Sequence, residues 1–75
     1  MSRQQSLTAV ITREGELLVA LCPELDIASQ GRSVEEARAR LREAVELFFE
    51  TADPEEVKER LHPEVYVSQF EVPVG

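Results

Sequence analysis

Residues 23–50 read PELDIASQGRSVEEARARLREAVELFFE, and a change of periodicity inside this stretch decides the architecture. Residues 25–30 alternate, with Leu25, Ile27 and Ser29 against Asp26, Ala28 and Gln30, which predicts a polar edge strand. Gly31 turns the chain. Ser33 then opens a helix, and Glu36 three residues later predicts a capping box: the Ser33 hydroxyl accepts from the Glu36 N–H, while the Glu36 carboxylate reaches back to the Ser33 N–H. Such a cap stabilises by about 1 kcal/mol. Val34, Ala37, Leu41, Ala44, Val45 and Phe48 recur at spacings of three and four and form one apolar stripe, with alanines small enough for close approach to a sheet. Glu36–Arg40 and Arg42–Glu46 are spaced for ion pairs along the helix. Leu47 and Phe49 fall off the stripe, so they need cover from the following segment or from a second subunit.

The flanking sequence supplies the sheet. Residues 1–6 read as a frayed end. Residues 7–13 alternate, with Leu7, Ala9 and Ile11 on one face, and Gly15 suits the tight turn that follows. Residues 17–22, LLVALC, are apolar throughout and predict a central strand buried on both faces. Pro23 lacks an N–H and ends it. Downstream, Asp53 and Pro54 mark a second helix start, with Val57 and Leu61 to bury, and His62-Pro63 ends that helix. Residues 64–72, EVYVSQFEV, predict a last strand with Tyr66, Phe70 and Val72 on one side and Val65 and Val67 on the other. The expected fold is a single α+β domain over 1–75, a two-layer sandwich of order β-β-β-α-(short α)-β with an antiparallel sheet.

A chain of 75 residues buries a modest core, and domains of this size recover stability through disulfides, metals or self-association. Cys22 is the only cysteine, and among apolar neighbours it reads as a small buried residue. His62 is the only histidine, so no Cys/His pair has ligand spacing; neither a metal nor another cofactor is expected. Self-association is left, as a dimer or higher oligomer. Fifteen acidic against eight basic residues give net −7, which disfavours direct nucleic acid binding and suits a basic protein partner. The N-terminus has no apolar signal core and no apolar run approaches the length of a membrane span, so the chain reads as cytoplasmic.

One further pattern emerges from the quoted stretch. The hairpin, Pro23 and Leu25, a short polar strand, Gly31, Ser33, Glu35-Glu36-Ala37 and Glu43-Ala44 together resemble the HicB-like antitoxins over roughly residues 7–50. In that family Pro-Asp-Leu leads through a short strand to a glycine, then Thr-x-Glu-Glu-Ala at a helix start. The chain departs from it at Asp26 and Ile27, where Pro-Gly-Cys or similar is usual, and at Arg32, where an acidic residue is usual. The resemblance implies a HicB-type sandwich related to a partial ribonuclease-H-like fold. It also implies a partner, a small basic mRNA-cleaving toxin of the HicA type that the domain binds and neutralises. Residues 51–75 read as a short helix and a strand, so the ribbon-helix-helix or helix-turn-helix module of many members, and their DNA-binding autoregulation, are not carried over.

The chemistry-bearing residues point away from catalysis. The glutamates crowd the helix in capping and pairing positions, Asp26 is the one Asp before residue 53, and Ser33 and His62 lack an oxyanion signal. Arg38, Arg40 and Arg42 interleave with Glu35, Glu36, Glu43 and Glu46 as an ion-paired surface rather than a phosphate track. The residues therefore predict a non-enzymatic domain, and the resemblance to HicB-like antitoxins implies that it is an antitoxin-like interaction domain. The alternative is a stand-alone homo-oligomeric domain of the same fold with a regulatory or ligand-binding role. Leu47, Phe49, Tyr66 and Phe70 are the candidate interface, because the apolar supply exceeds what one helix can cover.

Overall fold

The computed structural model describes residues 4–75; part of the expected frayed end, residues 1–3, lies outside them. Three strands, β1 (Val10–Glu14), β2 (Leu17–Cys22) and β3 (Ile27–Gly31), precede two helices, α1 (Val34–Thr51) and α2 (Pro54–Arg60). The strands form one antiparallel sheet of order β1-β2-β3. Glu14 stands opposite Leu17, so the hairpin loop is Gly15-Glu16. Gly15 has φ 64 and Glu16 does not share it, which is the sign pattern of a II′ turn and matches the twist of the strands.

β1 begins three residues later than the alternation predicts. The Thr8 N–H, which an extended ladder would use, is taken by the side chain of Glu24. β3 likewise begins at Ile27 rather than Leu25. Leu25 and Asp26 belong to a tight turn in which the Leu25 N–H donates to the Cys22 carbonyl at 3.3 Å. Asp26 adopts φ 56, a left-handed conformation that Asp tolerates better than most residues.

α1 lies on one face of the sheet. Ala37, Leu41 and Val45 are buried against Leu18, Ala20 and Cys22 of β2 and against Leu25, with Leu7, Ile11, Ile27, Phe48 and Leu61 packed around them. Val34, in the first turn of α1, belongs to the expected stripe but is exposed. The Ser33 cap forms, with the Glu36 N–H donating to Oγ at 3.0 Å. The return half of the box differs: the Glu36 carboxylate accepts from the Arg32 N–H at 2.7 Å, one residue earlier than predicted. Asp53 caps α2 by accepting from the Glu56 N–H at 2.9 Å. Both predicted ion pairs form, at 4.0 Å for Arg40–Glu36 and 3.6 Å for Arg42–Glu46. As exposed pairs they stabilise by only a few tenths of a kcal/mol.

Two further expectations are corrected. β2 is buried on one face only: Leu17, Val19 and Leu21 on the other face are half-buried, because no second layer covers that side. The last strand is also absent. Beyond α2 the chain is irregular, joins no sheet and is largely exposed. The radius of gyration is 14.5 Å, against about 11 Å for 75 compact residues, and the long axis of 51 Å against 27 and 21 Å shows the same projection.

Gly31 has a role that its flexibility does not explain. It closes β3 with the first turn of α1 directly above it, and a Cβ there would meet the Ala37 backbone N at 2.6 Å and Glu36 atoms at 2.9 Å. Backbone at both contacts cannot rotate aside. Gly31→Ala is therefore expected to lever α1 off the sheet and destabilise the domain by about 1–3 kcal/mol, in the range of other overpacked cores. Urea unfolding measures this; an unchanged midpoint would contradict the close contact.

Candidate functional site

Among the described residues the side chain with the most hydrogen bonds is that of Glu24, at the turn between β2 and β3. Its side chain belongs to a residue only 4% exposed. Burying a carboxylate is unfavourable unless donors surround it, and here four contacts do so. The Thr8 N–H donates to both carboxylate oxygens at 3.0 and 2.9 Å, the Thr8 hydroxyl donates at 2.6 Å, and the Cys22 thiol donates at 3.5 Å. Among the described residues no buried side-chain polar atom lacks a partner. Desolvation raises the Glu24 pKa, but the Thr8 hydroxyl and N–H, with smaller help from Cys22, outweigh it and hold the carboxyl below its ordinary 4.5. Burial in the same place pushes the Cys22 thiol up, and the adjacent carboxylate adds to that. A thiol so placed is a donor and a core atom, not a nucleophile.

The backbone of the same turn holds α2. The His62 N–H donates to the Glu24 carbonyl at 2.7 Å, and Arg60 Nη2 donates to the Leu25 carbonyl at 2.8 Å. The Arg60 guanidinium also lies over the Phe48 ring, 5.3 Å from its centroid. Residues 22–26 thus gather the segment leading into β1, the sheet, and the exit from α2.

Between these elements runs an open cleft of about 820 Å³, lined on its apolar side by Leu7, Leu41, Val45, Phe49, Val57 and Leu61. Its polar rim includes Arg38, Arg42 and Glu46. The four candidate interface residues separate into three places. Phe49 lines the cleft, edge-on to Phe48 with ring centroids 5.5 Å apart. Leu47, 59% exposed, lies on the outer face of α1, one turn from Glu43 and from Glu50. Tyr66 and Phe70, 86% and 85% exposed, project from the segment beyond α2. The structure does not bring the four together in one chain.

Ser33 and His62 are not neighbours either. Ser33 follows the far end of β3, whereas His62 lies beside the turn at its near end. Among the described residues no three His, Cys, Asp or Glu side chains form a metal-holding group, and no helix is long and apolar enough to cross a membrane. Sequence reasoning missed Glu24. The available signal was a single carboxylate inside the otherwise apolar run of residues 17–25.

Comparison with known proteins adds no assignment: no family model matches the chain, and neither a curated protein nor a solved structure does.

Because the folded pKa of Glu24 is depressed, its stabilising contribution is complete above the unfolded value near 4.5 and is lost as pH falls through the lower folded value. Glu24→Gln is expected to lower stability at neutral pH by about 2–3 kcal/mol, as for other hydrogen bonds to charged groups, and to flatten the loss of stability below pH 4.5. Chemical denaturation across that range measures both effects. An unchanged pH profile would contradict the buried charged state. In the native protein Cys22 should resist a soluble disulfide reagent and react only on unfolding; rapid native labelling would contradict its burial.

Proposed function

We propose that this chain acts by binding another protein, as an inhibitor of the antitoxin type whose target is a small basic ribonuclease. The observation that carries the reading is Leu47, a large exposed apolar side chain set between Glu43 and Glu50 on the free face of α1. From Glu43 to Glu59 the chain places seven carboxylates against one cation, Lys58. That stretch of sequence therefore holds most of the net −7 charge. An exposed apolar anchor flanked by two carboxylates, on an acidic stretch of chain, suits a partner of the opposite sign: the charges speed and orient the encounter, while the anchor slows dissociation.

The partner class comes from the resemblance of residues 7–50 to HicB-like antitoxins, and kinship with their partial ribonuclease-H-like sandwich is part of the proposal. The hairpin, the helix on one sheet face and the Ser33 cap are compatible with it. Inhibition in this reading requires no chemistry from the domain, only occlusion of the ribonuclease surface that meets RNA. The carboxylates of residues 43–59 would compete there with phosphates for the same basic groups.

The test begins with the reading frame beside this one. Co-expression with a short basic product of that frame should relieve its growth arrest and yield a complex that weakens as salt rises. Leu47→Glu, which leaves the core untouched, should weaken that complex at least about 10-fold by calorimetry, the effect of losing roughly 1.4 kcal/mol. Persistent toxicity with both products made and no complex formed would overturn the reading.

A further inference from the structure

We infer that the segment beyond α2 is a strand supplied to a second copy of this chain, pairing with the free edge of β1 and placing Tyr66 and Phe70 in the cleft beside α1. Residues 64–72 carry the composition of a strand, with Val, Tyr and Phe in alternation and no Gly, Asn or Asp to turn the chain. In the single chain they pair with nothing. Tyr66, Val67, Phe70, Val72 and Val74 are all exposed, Tyr66 and Phe70 almost wholly so. A soluble domain does not usually hold out such a run unless it serves an interface.

The departure from the body is fixed. The His62 N–H is bound to the Glu24 carbonyl, and Pro63 fixes its own φ and biases His62 toward extended backbone. The segment therefore leaves at the turn end of the sheet and runs outward.

The receiving site is equally incomplete. β1 and β3 are both sheet edges, but they differ in cover. α1 overhangs β3 closely enough to touch Gly31, whereas β1 is mostly exposed along its length. Next to the segment leading into β1, the cleft presents Leu7, Leu41, Val45 and Phe49. A fourth strand beside β1 would direct alternate side chains toward α1, and Tyr66 and Phe70, four residues apart, share one side of such a strand and so can enter the cleft together. The same pairing satisfies the open N–H and C=O groups of the β1 edge.

Area favours a second copy as the occupant. Tyr and Phe bury about 150–250 Å² each, so two nearly bare aromatics per tail, in two exchanged tails, remove about 600–1,000 Å² before the valines and the cleft walls are counted. The total then falls within the roughly 1,200–2,000 Å² of specific interfaces. Exchange between identical chains also closes both sites at once, which a one-sided partner does not.

This proposal does not depend on the ribonuclease reading, since a dimer can form whether or not a basic partner exists. Sedimentation of the full chain at micromolar concentration should give twice the 8.5 kDa of one chain. The double variant Tyr66→Lys, Phe70→Lys, which alters only exposed side chains of the monomer, should keep its circular dichroism and weaken association at least about 30-fold, the scale of an interface hot spot. In a dimer mixed from isotopically labelled and unlabelled chains, the Tyr66 and Phe70 rings should show contacts to Leu41 and Val45 methyls of the other copy. A monomer at all concentrations overturns the inference. So does a dimer that survives the double variant, or one whose tail contacts lie within its own chain.

Discussion

Holding one carboxylate in the charged state away from water is the constraint on which the arrangement of this domain depends. Glu24 cannot stay buried unless Thr8 is brought to it, and Thr8 comes only if the chain before β1 abandons the ladder and folds across the sheet end. The Cys22 thiol completes the shell from below. The same turn offers its carbonyls outward, and His62 and Arg60 take them, which fixes α2 against the core and sets the direction in which the chain leaves. The one turn around the buried charge thus ties the segment before β1 and the exit from α2 to the sheet. Because breaking such a shell strands an unpaired charge, removing any donor is more damaging than the net strength of one hydrogen bond suggests.

The second determinant is an apolar supply larger than one helix can cover. α1 spans β3 and β2 with Ala37, Leu41 and Val45, and the core closes around Leu25. What is left over is sorted by location. Leu17, Val19 and Leu21 form a half-open sheet face, Leu47 stands among carboxylates, Phe49 lines the cleft, and the tail aromatics stand free. Leu47 lies on α1 and the tail aromatics lie beyond α2, so the two proposals above, self-association and inhibition of a basic protein, use different residues.

The parts of this fold readable from sequence are those set by local chemistry. Gly15 at a two-residue loop, Ser33 and Asp53 as caps, Pro54 at a helix start, and the Ala37–Leu41–Val45 stripe each follow from interactions within a few residues, and each stands where periodicity placed it. What was not legible is set by tertiary contacts. The shortened β1 follows from a side chain sixteen residues away. The need for glycine at position 31 comes from helix backbone pressed above it, although the letter alone suggested only a turn. The tail carries every local signal of a strand, yet a strand is a relation between two segments, and its own chain supplies no second one. Excess hydrophobicity marks Leu47, Phe49, Tyr66 and Phe70 as uncovered but does not say how they divide between surfaces.

Amide hydrogen exchange of residues 64–74, followed over a range of protein concentrations, tests the central claim most directly. A strand donated to another chain predicts alternating slow exchange at high concentration that is lost on dilution, while the amides of β2 stay protected throughout. Fast exchange along the whole segment at every concentration would contradict it, as would protection that does not change with concentration in a chain that sediments as a monomer.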